Sequence, residues 1–237
     1  AQPLPAPPIA PRRAALVLGG GLAGMTAALH IAESGVPVHL VEREARLGGN
    51  ALRLDRSPEG ADIPKAVADL EKKLRAHAQV TIHATSEVVR REGHVGQFVV
   101  TVRRAAAAPS RPRAPAQAHP SVSAETRLDV GAVVTATGAS EYRGPVHGLG
   151  SDPRVITLLD LGERIRADRS LPSQLKEIAF IGCAGPWDEE GRAGANGVPW
   201  RCSRGCCETT MRQARAIKEA NPGCRVTVLV REVNTYA

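Results

Sequence analysis

Aromatic residues and long apolar runs are both scarce in this chain. Its 237 residues include only two Phe, two Tyr and two Trp, and no apolar run approaches the length of about 18 residues that a membrane-spanning helix needs. The formal charge of +7 is spread along the chain, without the basic stripe and stacking aromatics of a nucleic-acid-binding surface. These absences disfavour nucleic-acid binding and a membrane span, and they favour a solvated basic surface or a docking face for acidic partner subunits.

Two segments lack the apolar periodicity of regular structure. Residues 1–13 are rich in proline, and we predict a disordered arm there, without the hydrophobic stretch of a secretion signal. Residues 105–125 are rich in alanine and proline and are predicted to form a flexible loop. We expect a cytoplasmic globular protein with two folded parts, residues 14–172 and residues 173–237.

Cysteine is absent from the first 182 residues, and all five cysteines lie between Cys183 and Cys224. In a cytoplasmic protein, so uneven a distribution favours metal ligands over disulfides.

The apolar pattern predicts two successive α/β units. A strand (AALVLG), a glycine turn, a helix (LAGMTAALHIAES) and a second strand (VPVHLVE) open the first unit. A helix over residues 63–77 follows, then an antiparallel ribbon of VTIHATSEVV and QFVVTVRR, and the strand LDVGAVVTATG resumes the parallel sheet. The strand EIAFIG, a helix over residues 206–220 and the strand RVTVLV form a second, partial βαβ unit.

The first turn carries a dinucleotide-binding pattern. Gly19, Gly21 and Gly24 form G-x-G-x-x-G between a strand and a helix, where glycines permit a tight turn and close approach of a pyrophosphate to the helix N-terminus. Glu42 ends the second strand about 20 residues later. A carboxylate there accepts hydrogen bonds from an adenosine ribose and repels a phosphorylated one.

Two further segments favour FAD over NAD as the dinucleotide. Leu47 begins the sequence LGGN after Glu42, and the later sequence TATG ends at Gly138; both resemble segments of flavoproteins of the thioredoxin-reductase class. The predicted fold class is therefore α/β, with a three-layer, Rossmann-like FAD-binding domain of this class followed by a partial βαβ domain. The predicted cofactor-binding residues are Gly19, Gly21, Leu22, Ala23, Gly24, Glu42, Arg43, Gly48, Gly49, Asn50, Val88, Ala136, Thr137 and Gly138.

The cysteine spacing alone leaves three explanations open. Cys202, Cys206 and Cys207 form C-x3-C-C at the start of a helix, and Cys183 follows a strand. Zinc prefers four tetrahedral thiolates, and adjacent cysteines strain around one ion, whereas an iron–sulfur cubane can attach adjacent cysteines to separate irons. Structural or redox-active thiols are the third explanation. Cys224 is predicted to be a small buried residue.

The turn that holds Cys183 takes the place of a phosphate-binding turn. It reads GCAG, and some 20 residues separate it from the following helix, so this helix cannot cradle a pyrophosphate in the usual way. We infer that the second unit has exchanged NAD(P)H binding for a metal cluster, and a modified nucleotide site is the alternative.

These features together resemble the A subunit of heterodisulfide reductase and its bacterial relatives. The resemblance rests on ALVLGGGLAGMTAALHIAESGVPVHLVEREARLGGN, EGHVGQFVVTV, VVTATGASEY, VITLLDL and, most specifically, IAFIGCAG…CSRGCCETTMRQARAIKE…VTVLVREVNTY. It implies a [4Fe-4S] cluster near the FAD, and the implied ligands are Cys183, Cys202, Cys206 and Cys207. The family's inserted ferredoxin-like module is replaced by the Ala/Pro-rich loop, and the chain ends before the segment that completes the family's flavin pocket.

The resemblance implies an electron-transfer subunit that carries FAD and a [4Fe-4S] cluster. Its expected partners are the other subunits of a heterodisulfide-reductase-like complex, including a chain that completes the flavin domain. Two alternatives are a flavin oxidoreductase with thiol exchange at Cys206 and Cys207, and a non-catalytic assembly subunit held by zinc or an inert cluster. No residue is predicted to act as an acid, base or nucleophile.

Overall fold

A computed structural model describes residues 10–57, 60–104, 124–144, 146–184, 202 and 205–233. Most of the predicted arm and of the predicted loop at 105–125 lies outside these residues. No helix among them is long and apolar enough to span a bilayer. The strands are β1 (Ala15–Leu18), β2 (Val38–Val41), β3 (Val80–His83), β4 (Ser86–His94), β5 (Gln97–Arg104), β6 (Glu125–Val130), β7 (Ala132–Thr135), β8 (Glu177–Ile181) and β9 (Arg225–Leu229). The helices are α1 (Leu22–Glu33), α2 (Ile63–Ala76), α3 (Leu158–Ala167), α4 (Leu171–Gln174) and α5 (Cys206–Ala220), with a 3₁₀ helix over Gly49–Arg53.

The chain divides into two compact units, and each is described by itself. The first comprises Ala1–Ala51 and Lys65–Gly138, and the second comprises Leu52–Pro64 and Ala139–Ala237. This division differs from the predicted boundary at residue 172, because two segments of the predicted first part cluster with the second. The ion pairs Arg53–Asp160 and Asp55–Arg169 link the two segments to each other, and α3 contacts α5.

A parallel sheet of four strands forms the centre of the first unit. The strand order is β3-β2-β1-β7, and each adjacent pair is parallel. Helix α1 contacts all four strands, and its residues Met25, Ala28 and Ala32 are buried. Strands of a parallel sheet are normally covered on both faces, so the other face of this sheet also requires a covering layer.

The second covering layer is an antiparallel sheet of β4, β5 and β6. One hydrophobic cluster joins the two sheets, since Leu16 and Val41 of the parallel sheet pack with Phe98, Val100 and other residues of the antiparallel sheet. The first unit therefore has three layers, helix, parallel sheet and antiparallel sheet. The predicted fold class is confirmed.

Two strands that we predicted to be continuous are each divided between the two sheets. The segment VTIHATSEVV separates into β3 and β4 at Thr85, whose φ of 53° is left-handed. The segment LDVGAVVTATG separates into β6 and β7 at Gly131, where a β-carbon would overlap the carbonyl oxygen of Arg12. Apolar alternation continues through Gly131, and no glycine or proline marks the break at Thr85, so the pattern alone does not reveal them.

The second unit contains the predicted βαβ element. Strands β8 and β9 pair in parallel, and α5 connects them in sequence. Phe180, Ile217 and Cys224 pack with residues of α3 in one cluster. Cys224 is only 1% exposed, which confirms its prediction as a small buried residue.

Candidate functional site

The turn between β1 and α1 requires glycine at two of the predicted positions. Gly19 has a φ of +100°, and a β-carbon there would overlap the carbonyl oxygen of Ala136. A β-carbon on Gly24 would overlap the carbonyl oxygen of Gly19. These glycines therefore allow the turn, the start of α1 and residue 136 to pack without side chains between them.

Gly21 differs from its neighbours because it faces open space. It is the N-cap of α1, with an ordinary φ of −72°, and a β-carbon there would meet no atom within 4 Å. Leu22 and Ala23 open the helix, where backbone N–H groups lack partners within the helix and attract anions. The open space above Gly21 is thus suited to a phosphate group.

Glu42 is a buried carboxylate that is bonded to the glycine turn. The residue is only 8% exposed. Oε2 accepts a hydrogen bond from the Gly20 N–H at 2.6 Å, and Oε1 accepts one from the Glu44 N–H at 2.8 Å. An ionised carboxylate has about four acceptor positions, so Glu42 can accept further bonds from the hydroxyl groups of a ribose.

The loop that contains Gly48 and Gly49 lies against the glycine turn. The Gly48 N–H donates to the Gly20 carbonyl oxygen at 2.7 Å. Gly49 has a φ of +51°, and a β-carbon there would lie 3.3 Å from the Gly21 Cα. The loop backbone therefore approaches the same turn that Glu42 binds.

The segment that follows β7 contacts the turn from another direction. The Ala136 N–H donates to the Leu18 carbonyl oxygen at 2.8 Å, and the Thr137 Cα would lie 3.2 Å from a β-carbon on Gly19. The structure thus brings together the glycine turn, Glu42, the loop at 48–50 and the turn at 136–138, four features separated by up to 119 positions in sequence.

The other four predicted cofactor-binding residues differ in their exposure and surroundings. The Arg43 side chain is 78% exposed, and Asn50 is exposed in the 3₁₀ helix. Gly138 has a φ of +68° with open space around it. Val88 packs against the hydrophobic cluster between the two sheets, which gives it a structural role.

Sequence reasoning did not include Gly20 and Leu47 among the cofactor-binding residues, although it singled out the LGGN segment that Leu47 begins. A β-carbon on Gly20 would lie 2.5 Å from the Leu47 side chain and 3.0 Å from that of Glu42. Leu47 is itself 1% exposed. The run of three glycines at 19–21 was a signal for Gly20, since the dinucleotide-binding motif needs only Gly19 and Gly21 of that run.

The predicted cluster ligands are not gathered in the described structure. Cys183 follows β8 with a φ of 54°, and Cys207 is buried at the start of α5, where its Sγ lies 3.7 Å from the Glu232 carbonyl oxygen. Cys183, Cys202 and Cys206 are partly exposed, and no disulfide joins any of the five cysteines, all of which the structure describes. Among the described residues, no group of three or more His, Cys, Asp or Glu side chains could hold a metal ion. Residues 185–201 lie outside the described ranges.

The carboxylate of Glu42 should contribute more to the stability of the chain than the carboxylate of Glu44. Glu42→Gln replaces one acceptor oxygen with an NH₂ group, so either the Gly20 or the Glu44 N–H loses its partner. We expect this change to lower the free energy of unfolding of the ligand-free chain by about 1–3 kcal/mol. Chemical denaturation measures this loss. Glu44→Gln is the control, with an expected change within about 0.5 kcal/mol, and equal losses in both variants would contradict the assigned role.

Similar proteins support the sequence-based resemblance. The A subunit of the H(2):CoB-CoM heterodisulfide,ferredoxin reductase of Methanothermobacter marburgensis is 24% identical, over 99% of this chain and 46% of that protein. The A subunit of the ferredoxin:CoB-CoM heterodisulfide reductase of Methanosarcina mazei is 26% identical, over 91% of this chain and 36% of that protein. The chain thus spans less than half the length of these relatives. The predicted resemblance to the A subunit of heterodisulfide reductase is confirmed.

Two further comparisons concern the fold and the family. The crystal structure of L-proline dehydrogenase from P. horikoshii superposes with a TM-score of 0.48 at 17% identity, covering 91% of this chain and 34% of that one. A family model for the pyridine nucleotide-disulphide oxidoreductases matches residues 13–185. This match includes the glycine turn, Glu42 and the turn at 136–138. The chain therefore belongs to the pyridine nucleotide-disulphide oxidoreductase family.

Proposed function

We propose that this chain is an FAD-binding electron-transfer subunit of a heterodisulfide-reductase-like complex. The observation that carries the proposal is the meeting of four features at one place in the first unit: the glycine turn, the buried Glu42, the loop at 48–50 and the turn at 136–138. Family membership supports FAD as the cofactor. The names of the relatives support the assignment to a heterodisulfide-reductase-like complex.

The residues present fit the adenosine half of FAD. The pyrophosphate would lie at the N-terminus of α1, above Gly21, where partial positive charge and free space coincide. Glu42 would accept hydrogen bonds from the ribose hydroxyls, and its charge would exclude a phosphorylated ribose. Gly49 and Gly138 would let the backbone approach the rest of the cofactor closely.

The chemistry of electron transfer belongs to the cofactor in this proposal. FAD, when bound, accepts and donates electrons in pairs or singly. The chain's own residues would bind it and orient it. No side chain is assigned a catalytic role.

We also propose that Cys183, Cys202, Cys206 and Cys207 hold a [4Fe-4S] cluster. In a βαβ element the end of the first strand and the start of the helix lie at the same edge of the sheet, which supports Cys183, after β8, and Cys206, at the start of α5, as ligands of one cluster. Cys207 lies at this edge too, since its Sγ approaches the carbonyl oxygen of Glu232, beyond the end of β9. Four thiolates are the ligands that a cubane requires.

The open space at Gly21 provides a direct test of FAD binding. Gly21→Ala adds a methyl group that meets no protein atom within 4 Å, so the ligand-free chain should keep its stability. The same methyl group would occupy the place proposed for the pyrophosphate. We expect the Kd for FAD to rise at least tenfold, about 1.4 kcal/mol, as measured by quenching of flavin fluorescence during titration.

Gly35→Ala is the matched control at the other end of α1. Gly35 has a φ of +78° with open space around it, so alanine there should cost about 1 kcal/mol of stability through backbone strain. Its Kd for FAD should match that of the parent chain. If Gly21→Ala binds FAD as tightly as the parent while folded, the proposed cofactor site is refuted.

Metal content of the chain, measured after anaerobic reconstitution with iron and sulfide, tests the cluster. We expect about four irons and four labile sulfides per chain, with broad absorption near 400 nm that is lost in Cys206→Ser. Cys224→Ser is the control, because Cys224 packs in the hydrophobic cluster of the second unit and should not affect the iron content of the folded chain.

Other outcomes of the metal measurement identify the alternatives. Zinc at one ion per chain, with no iron, would favour an assembly subunit. Cys206 and Cys207 that undergo thiol exchange, again without iron, would favour a disulfide-type flavin oxidoreductase. Either result would overturn the proposed [4Fe-4S] cluster but would not affect the proposal that the chain binds FAD.

A further inference from the structure

A network of charged side chains in the second unit centres on Arg53. Its side chain is only 21% exposed and donates to three carboxylates: Glu141 at 2.9 Å, Asp160 at 2.7 Å and Glu163 at 2.7 Å. Partial burial lowers the pKa of Arg53, but the hydrogen bonds and charges of Glu141 and Glu163 outweigh this effect and raise it overall. The guanidinium thus remains charged and uses its planar set of donors to join separate segments.

The partners of Arg53 are themselves fixed by other hydrogen bonds. Asp160 belongs to a capping box at the start of α3, with Thr157 as the N-cap. Oε1 of Glu141 accepts a bond from the Leu159 N–H at 3.1 Å. Arg143 also bonds both Glu141 and Asp160. Arg53 therefore joins a rigid group of side chains, unlike a surface ion pair whose side chains are free to separate.

The backbone of Arg53 is packed closely against the same helix. A β-carbon on Gly162 of α3 would overlap the Arg53 carbonyl oxygen. Both the main chain and the side chain of Arg53 are thus held by α3. Movement of this residue would have to break several contacts at once.

Arg53 and Glu141 follow directly after the two segments that contact the glycine turn. Arg53 ends the 3₁₀ helix Gly49–Arg53, which begins in the loop at 48–50. Glu141 lies three positions after Gly138, the end of the turn at 136–138. The ion pair between them therefore joins the continuations of two segments that are otherwise nearly ninety residues apart.

We propose that Arg53 and Glu141 are positioning residues for the FAD site. Their ion pair fixes where the loop at 48–50 and the turn at 136–138 leave the site, and it keeps both segments in the conformation that FAD binding needs. Neither side chain is assigned a contact with FAD. This inference rests on the proposed function, since it assumes that the two segments bind the flavin.

Glu163 offers a matched control for this inference. It accepts a hydrogen bond from the Arg53 Nε at 2.7 Å, yet it lies within α3, more than twenty positions after the turn at 136–138. If the network only stabilises the second unit, loss of either carboxylate should leave FAD affinity unchanged. If the Arg53–Glu141 pair positions the two segments, only loss of Glu141 should weaken FAD binding.

The experiment compares the whole chain with Glu141→Gln and Glu163→Gln. We expect Glu141→Gln to raise the Kd for FAD about fivefold or more, a typical effect of a coupled ion pair, and Glu163→Gln to change it less than about twofold. Denaturation of each ligand-free variant shows what fraction is folded, so that Kd values refer to folded chain. Arg53→Met should raise the Kd for FAD at least as much as Glu141→Gln does. The double variant, with Arg53→Met and Glu141→Gln, should have the same Kd as Arg53→Met alone.

The possible results separate this inference from the proposed function. If the parent chain binds FAD and folded Glu141→Gln binds it equally well, the positioning role is refuted and FAD binding stands. If both glutamine variants raise the Kd equally, the effect is not specific to the Arg53–Glu141 pair and the inference is again refuted. If the parent chain binds no FAD, the proposed function itself fails. If Glu141→Gln does not fold, Arg53→Lys tests the same positioning role, because a lysine keeps the charge but cannot bridge three carboxylates.

Discussion

The first unit depends on the two hydrogen bonds that a buried carboxylate accepts from the backbone. Glu42 stands at the end of β2, and its oxygens bind the N–H groups of Gly20 and Glu44. Bonds from N–H groups to an ionised acceptor are about twice as strong as neutral ones. The end of one strand and the turn after another are thereby held in register.

The other parts of the site are assembled on this turn by close backbone contacts. Ala136 can approach Gly19, and the start of α1 can approach the same residue, only because side chains are absent. Gly21 is the exception, with open space where a β-carbon would be. A site made of backbone in this way binds by shape and by N–H groups, which suits an anionic cofactor held in one orientation.

The sequence was sufficient for the parts of the structure that depend on local geometry. The glycine turn, Glu42 and helices α1, α2 and α5 have patterns within one or two turns of chain, and the predicted fold class followed from their order. The strand break at Gly131 was missed because apolar alternation continues through it, and the break at Thr85 was missed because no glycine or proline marks it. The ion pairs of Arg53 were missed because its partners are about ninety or more positions away, and no local pattern marks such a pairing. The cysteine ligands remain a prediction, since the described residues do not bring them together.

The most direct test of the account is a parallel equilibrium titration of the ligand-free chain with FAD and with FMN. FMN carries the same isoalloxazine ring but lacks the adenosine ribose and one of the two phosphates, the groups assigned to Glu42 and to the turn at Gly21. The account predicts saturable binding of one FAD per chain, and FMN binding at least about a hundredfold weaker, as expected when the main polar contacts of a ligand are lost. Equal affinity for the two flavins, or no binding of FAD, would contradict the assignment of this turn and its carboxylate to the adenosine half of FAD.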